Sequence, residues 1–221
     1  MQIALLGGTG DIGEGLALRL ARDTDHQVIV GSREAGKAEA AADEYEAALA
    51  DRGHSDDIEA AENATAAADA DVVVCSVPAY YLSDTIEAVA DDLADTVLVS
   101  PAVGMQRDES GVGYNPPGVG SVTALAAAVA PDDVPVVGAF HNLAAARLST
   151  LDADLDWDVP VVGDDAEAKA TVSELTDDID GLRALDAGGL DNASEVEAVT
   201  PLLINLAANN DGMHDLGVKF W

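Results

Sequence analysis

Short continuous apolar runs punctuate this chain at "QIALL" (2–6), "QVIVG" (27–31), "DVVVCSVP" (71–78), "TVLVSP" (96–101) and "VPVVGAF" (134–140). None alternates polar with apolar residues, which predicts strands buried on both faces. The stretches between them, at 12–23, 34–51, 81–94 and 121–129, are rich in Ala, Leu, Asp and Glu and predict helices. Strand-helix alternation of this kind predicts an α/β fold built on a doubly wound parallel sheet. Later, "WDVPVVG" (157–163) reads as a strand and 165–179 as a helix, followed by the extended "GLRALDAGG". From about Asp191 the chain reads as one long Ala/Leu/Asn helix ending in the tail "DLGVKFW". A boundary near residue 150 therefore divides a larger domain, 1–150, from a small C-terminal α/β-helical domain, 151–221. No repeat or low-complexity linker appears, and the Gly/Pro-rich stretch 110–120 reads as a site loop.

The first apolar run leads straight into "GGTGDIGEG". Gly8-Thr9-Gly10-Asp11-Ile12-Gly13 fits G-x-G-x-x-G and opens a helix with apolar positions at Ile12, Leu16 and Leu20. In such a loop the first glycine permits a tight turn, and the second lets backbone approach a pyrophosphate. The third lets the helix pack closely on the sheet, with its N-terminus facing the phosphates. The preceding strand, the following helix and a second strand on schedule raise this motif above a bare glycine match. They predict a Rossmann-type dinucleotide site.

About 20 residues beyond such a loop, an NAD-binding chain carries a carboxylate for the ribose 2′-hydroxyl. Here the chain reads "GSREAGK" (31–37) instead. Arg33 can make forked, charge-assisted bonds to a 2′-phosphate, Ser32 can donate another, and Lys37 lies one helical turn on. These residues predict NADP(H). The competing reading makes Arg33 and Lys37 ordinary surface partners of Glu34 or Glu39.

Charge sharpens that point. The 221 residues carry 42 Asp plus Glu against 10 Lys plus Arg, a formal net charge of −32. Asp outnumbers Glu 29 to 13, and there are only three lysines, so one kept at position 37 is informative. The apolar share of 48% suits a packed core rather than a disordered acidic chain. Carboxylates spread along the chain suit a protein kept soluble in concentrated salt, and we expect a haloarchaeal source. An acidic surface that docks a basic partner is the alternative. Nucleic-acid binding is not expected, because phosphate contacts need basic stripes. The single cysteine, Cys75, excludes an internal disulfide and fits a cytoplasmic location. Neither a signal peptide nor a membrane span is expected.

Familiar reductase chemistry is missing. No Tyr-x-x-x-Lys occurs, Lys169 reads as a solvated helix position, and Lys219 lies near the C-terminus. No His/Cys/Asp cluster has metal-ligand spacing, so no metal is expected. Cys75 lies inside a strand and reads as core. His141 follows the strand at 134–140, at the sheet edge where ligands bind, and suits a positioning or structural role as well as acid–base work. No residue is singled out as certainly catalytic. An NADP protein without an acid–base residue makes sense if both partners are hydride carriers, because carbon-to-carbon transfer needs alignment rather than a proton donor.

The chain closely resembles archaeal F420-dependent NADP reductases, which pass hydride between reduced 8-hydroxy-5-deazaflavin (coenzyme F420) and NADP⁺. The resemblance runs through "ALLGGTGDIGEGLALRLA", "VGSREAGKAEA", "LVSPAV" and "HNLAAAR". It continues in "LDWDVPVVGDD", "IDGLRALDAGGLDNASEVEAVTPLLINLA" and "LGVKFW". It implies NADP contacts at Thr9, Gly10, Asp11 and Ile12, with Ser32, Arg33 and Lys37 on the 2′-phosphate. Val77, Pro78, Val103 and Ala145 would line the way toward the nicotinamide, and Leu216 would close the site. The deazaflavin would lie in the cleft that the C-terminal domain closes, as a co-substrate, in a homo-oligomer. The sequence departs from the family at Ala144, where proline is usual, and in "PAYYL". An NADP reductase of another acceptor (an imine, a flavin or a metal chelate) and a non-catalytic NADP(H) sensor remain alternative readings.

Overall fold

A computed structural model of the chain describes residues 1–54, 57–68, 70–109 and 111–221. Ser110, in the loop expected over 110–120, lies outside the described residues. The strands are β1 (Gln2–Leu6), β2 (Gln27–Ser32), β3 (Ile58–Glu62), β4 (Val72–Cys75) and β5 (Val97–Ser100), followed by β6 (Met105–Asp108) and β7 (Gly111–Tyr114). Three more follow: β8 (Val136–Gly138), β9 (Trp157–Gly163) and β10 (Leu182–Asp186). The helices are α1 (Asp11–Asp23), α2 (Ala35–Ala50), α3 (Asn63–Ala68), α4 (Leu82–Ala88) and α5 (Val122–Val129). After these come α6 (Ala145–Ser149), α7 (Ala166–Asp177), α8 (Ala193–Glu197) and α9 (Val199–Asn209).

Eight strands form one sheet in the order β10-β9-β8-β5-β4-β1-β2-β3. All neighbours pair in parallel except β8 and β9, which are antiparallel. The apolar runs explain the two covered faces. Ile3 and Leu5 of β1 pack on the side of α1 and α2, while Ala4 and Leu6 face α3, α4 and α5. The chain leaves β1 for β2 on one side and reaches β4 on the other. This places a topological switch point, where such sheets bind ligands, at the carboxyl ends of β1 and β4. β9 and β10 continue the same sheet across residue 150.

Three elements differ from expectation. β3 was not foreseen, since "IEAAE" has helical composition and only Ile58 is buried at this outer edge. Met105–Asp108 and Gly111–Tyr114 pair as an antiparallel β6–β7 hairpin, so residues 111–114 of the expected 110–120 loop are strand. The C-terminal helix is two helices, because Pro201 has no N–H to offer the carbonyl of Glu197 four residues back.

Helix α6 is fastened to α1 from both sides. Gly15 has no side chain, and a Cβ there would strike Leu148. Arg19, 1% exposed, donates to the carbonyls of Arg147, Leu148, Thr150 and Ala153 at 2.8–3.2 Å. These are the carbonyls that a short helix and its following turn leave open, so the guanidinium is satisfied without a carboxylate.

Candidate active site

The glycine loop turns at the end of β1. Gly7, with φ +71°, is its left-handed residue, so the tight turn falls one position before the G-x-G-x-x-G motif, not at Gly8 as expected. Gly8 is held for another reason: a Cβ there would lie 2.7 Å from the Leu5 carbonyl. Its own carbonyl accepts from the buried Tyr45 hydroxyl at 3.0 Å, which ties the loop to α2. Gly13 packs on Gly8 so closely that a Cβ would sit 2.5 Å from the Gly8 Cα. Gly10 is different, because a Cβ there would meet only the Gly7 carbonyl at 3.4 Å and the Ser76 carbonyl at 4.0 Å. The protein itself leaves that space open.

Gly10 is the N-cap of α1 and supplies no side-chain cap. The first intrahelical bond runs from the Glu14 N–H to the Gly10 carbonyl, at 2.8 Å. The N–H groups of Asp11, Ile12 and Gly13 therefore precede the helical ladder and point out of a helix N-terminus.

Beside this loop lies a groove of about 420 Å³ at the carboxyl ends of β1, β2, β3 and β4. Thr9, Gly10, Ser32, Arg33 and Lys37 line it, with Val77 and Pro78 opposite, after β4. Ser32 is buried, and its Oγ accepts from the Glu34 N–H at 3.4 Å. Arg33 lies over the Tyr81 ring, its Cζ 5.6 Å from the ring centroid, and among the described residues it forms no ion pair. Lys37 pairs with Glu34 at 2.6 Å, on an open surface. That bond, more than the charges around it, holds the Glu34 carboxyl below its ordinary range. The surface pairing weighed for these cations thus exists for Lys37, and the fork of Arg33 is left facing the groove.

Ala145 and Leu216 line a second recess, of about 430 Å³, with Asn142, Leu143, Ile204 and Ala207. Its wall α6 packs on α1, the helix that the glycine loop opens. Val103, half-buried after β5, lines neither hollow. Leu216 is delivered by a fixed tail. The Asp158 N–H donates to the Val218 carbonyl at 2.7 Å, and the Phe220 N–H donates back to the Asp158 carboxylate at 2.6 Å. Arg183 adds two bonds to the same carboxylate, at 2.8 and 2.7 Å. The Arg183 bonds first, then the Phe220 N–H and Lys219, hold the Asp158 carboxyl down at about 2. Gly217 lies against the Trp157 ring, leaving no room for a side chain.

His141, 3% exposed, has Nε2 at 3.2 Å from the Thr123 hydroxyl. That hydroxyl gives its proton to Glu197 at 2.9 Å, so Nε2 carries the hydrogen and Nδ1 is bare. Nδ1 is buried without a partner. Burial lowers the imidazole to about 3, which keeps it neutral. Glu197 is itself fully buried and caps α5, accepting from the Val122 and Thr123 N–H groups and from the Tyr114 hydroxyl. No local pattern announces this carboxylate, because its partners lie 74 to 83 residues away. Cys75 is buried, and its thiol is pushed up to about 12, as suits core rather than nucleophile. Lys169 is not the solvated group expected: it pairs with Asp186 at 2.8 Å and is 17% exposed.

Tyr81, in the "PAYYL" stretch expected at the cleft, lines the first groove, and so does Asn63, which no sequence pattern marks. Asn63 directly follows β3, and the unseen edge strand hid it.

The family described as "NADP oxidoreductase coenzyme F420-dependent" matches residues 2–104. An F420-dependent NADP reductase of Methanocaldococcus jannaschii is 42% identical over 211 residues, 93% of this chain and 92% of that protein. One from Methanothermobacter thermautotrophicus is 40% identical over 214 residues, covering 95% and 90% of the two chains. A crystal structure from Arthrobacter sp., which carries the working description of an F420-dependent NADP reductase, superposes with a TM-score of 0.81. It has 27% identity and covers 100% of this chain and 99% of that one. This chain belongs to the family of coenzyme F420-dependent NADP oxidoreductases.

Proposed function

We propose that this protein transfers a hydride between reduced coenzyme F420 and NADP⁺. The observation that carries the NADP half is the convergence of Gly10, Ser32 and Arg33 on one groove beside an uncapped helix N-terminus. The open space at Gly10 and the first-turn N–H groups at Asp11 and Ile12 suit a pyrophosphate. Arg33, aided by Ser32 and by Lys37 once it turns from Glu34, suits a 2′-phosphate. Val77, Pro78, Val103 and Ala145 follow the sheet edge toward the nicotinamide. The recess of Ala145 and Leu216, mostly apolar, suits the deazaflavin ring, so residues 151–221 act as the part that closes the cleft. Bound together, the two carriers supply the chemistry, a hydride passing from carbon to carbon. The protein's task is to align them and exclude water. His141, neutral and buried, positions the loop after β8 and donates no proton.

Exposed Leu202 and Leu206 on α9 and fully exposed Trp221 favour a homo-oligomer. Among the described residues, no helix is long and apolar enough to cross a membrane. The single cysteine, Cys75, supports a place in the cytoplasm, and the net charge of −32 supports a salt-accumulating archaeon as the source. At 0.01 M salt, with a Debye length of about 30 Å, its carboxylates would repel one another nearly unscreened.

The test mixes purified protein with reduced coenzyme F420 and NADP⁺ in molar KCl and follows both chromophores. Stoichiometric exchange is expected, with activity lost on dialysis to dilute buffer. Arg33→Ala should weaken NADPH binding roughly 10- to 1000-fold while sparing NADH, since one or two charged hydrogen bonds are lost. An unchanged NADPH/NADH ratio would remove the basis of the NADP assignment.

A further inference from the structure

We infer that Asn63 reads the base of the dinucleotide, selecting adenine over a purine with a carbonyl at position 6. This rests on the assignment of the first groove to NADP. Asn63 stands where β3 ends and α3 begins, and it lines the groove together with Arg33 and Tyr81. Its Oδ1 is buried and has no hydrogen-bond partner. The atom is pressed against Gly31, where a Cβ would lie 2.9 Å away. A buried amide oxygen without a donor is costly, and such an atom calls for an explanation.

A bound adenosine supplies one. The ribose phosphate held at Ser32 and Arg33 leaves the base to extend along the carboxyl edge of the sheet, between the β2–β3 side and Tyr81. The last torsion of an asparagine side chain is soft, so Oδ1 can turn from Gly31 into the groove. There the amide presents an acceptor and a donor side by side. That pair matches the exocyclic amine and N7 of adenine, the pairing by which asparagine recognises this base elsewhere. On the N6/N7 edge a purine bearing a carbonyl at position 6 presents two acceptors, so either orientation of the amide sets one acceptor against another. Asp84 also lines the groove and is the rival acceptor.

The experiment compares dissociation constants for NADP⁺ and its hypoxanthine analogue, nicotinamide hypoxanthine dinucleotide phosphate, in the same molar salt. The wild type should prefer the adenine form by about tenfold, the scale of one net hydrogen bond. Asn63→Ala should reduce that preference to within about twofold, while Asn63→Asp, which keeps only acceptors, should hold or raise it. Asp84→Ala should leave the preference in place. Should Asn63→Ala be too unstable to study, Asn63→Leu serves, with unfolding followed in parallel. A wild type without preference overturns the inference, as does a preference that survives Asn63→Ala or disappears in Asp84→Ala. Arg33→Ala separates the two readings, because it should change the NADPH/NADH ratio and leave the base preference intact. If it leaves the NADPH/NADH ratio unchanged, the groove assignment itself has failed.

Discussion

The Glu197 carboxylate takes two hydrogen bonds from Thr123, one from its N–H and one from its hydroxyl, both at 2.9 Å. Its other oxygen accepts from Tyr114 and from the Val122 N–H, at 2.9 and 3.0 Å. Four donors from the hairpin and the N-terminus of α5 thus close on one acid carried by α8. The two hydroxyls could turn to accept, but the two backbone N–H groups cannot, so each of the two oxygen positions needs an acceptor.

Glu197→Gln tests that statement. Either orientation of the amide turns an N–H₂ toward one hydroxyl, which can rotate to accept, and one backbone N–H, which cannot. Losing that one bond to a charged acceptor should cost about 1.5–3 kcal/mol. In a chain of this size that lowers Tm by about 3–12 °C. A Tm within a couple of degrees of the wild type would show that the carboxylate holds nothing in place.

Buried His141 gives the fold a pH dependence of known sign. Its folded value of about 3 lies below the ordinary 6.5, so the unfolded chain binds the proton more readily. The stability it protects is present above pH 6.5 and is lost as pH falls toward 3, at up to about 1.4 kcal/mol per pH unit. His141→Gln can still donate to Thr123 but cannot titrate. The variant's denaturant midpoint should therefore fall less steeply than the wild type's between pH 6.5 and 4. Parallel curves would mean that the imidazole reaches solvent.

The glycine loop separates demands of the fold from demands of the ligand. Gly10→Ala should cost less than about 1 kcal/mol, the price of a poorer N-cap, because its Cβ meets only ordinary contacts. Gly13→Ala would push a methyl into Gly8 and should cost about 1–3 kcal/mol. NADP⁺ binding should fall at least tenfold in Gly10→Ala despite its intact Tm, as its methyl occupies the space open to the pyrophosphate. Titration calorimetry beside thermal unfolding reads both effects, and a Gly10→Ala protein that binds normally would place the pyrophosphate elsewhere.

Where burial writes a pattern, the sequence is readable. β1 and β9 were foreseen to the residue because each is an apolar run covered on both faces. β3 was not, since an edge strand with one buried residue carries no such run. The hairpin was missed for the same reason, as all four residues of β6 are exposed. In the candidate site, Gly10, Ser32 and Arg33 were legible because helix entry and phosphate chemistry fix them by spacing. Glu197 and Asn63 were not, because what makes each of them unusual is a set of neighbours, or their absence, that only folding brings together.

Asp158 fixes the position of Leu216 without touching it. The carboxylate is fully buried and joins β9 and β10 to the tail through Arg183, Lys219 and the Phe220 N–H. Asp158→Asn turns one acceptor into a donor that faces Arg183 whichever way the amide lies, with Lys219 or the Phe220 N–H beside it, and the tail should loosen. Carboxypeptidase should then remove the last residues faster than in the wild type, while circular dichroism shows the sheet intact. With Leu216 no longer seated, KM for the deazaflavin should rise more than kcat falls, because the recess is lost but no reacting group is. Acid should mimic the variant. The folded value of about 2 lies below the ordinary 3.8, so the lock is present above about pH 4 and is lost as pH falls toward 2. If the tail of Asp158→Asn resists digestion as the wild type does, the strap is held by Gly217 packing on Trp157 rather than by charge.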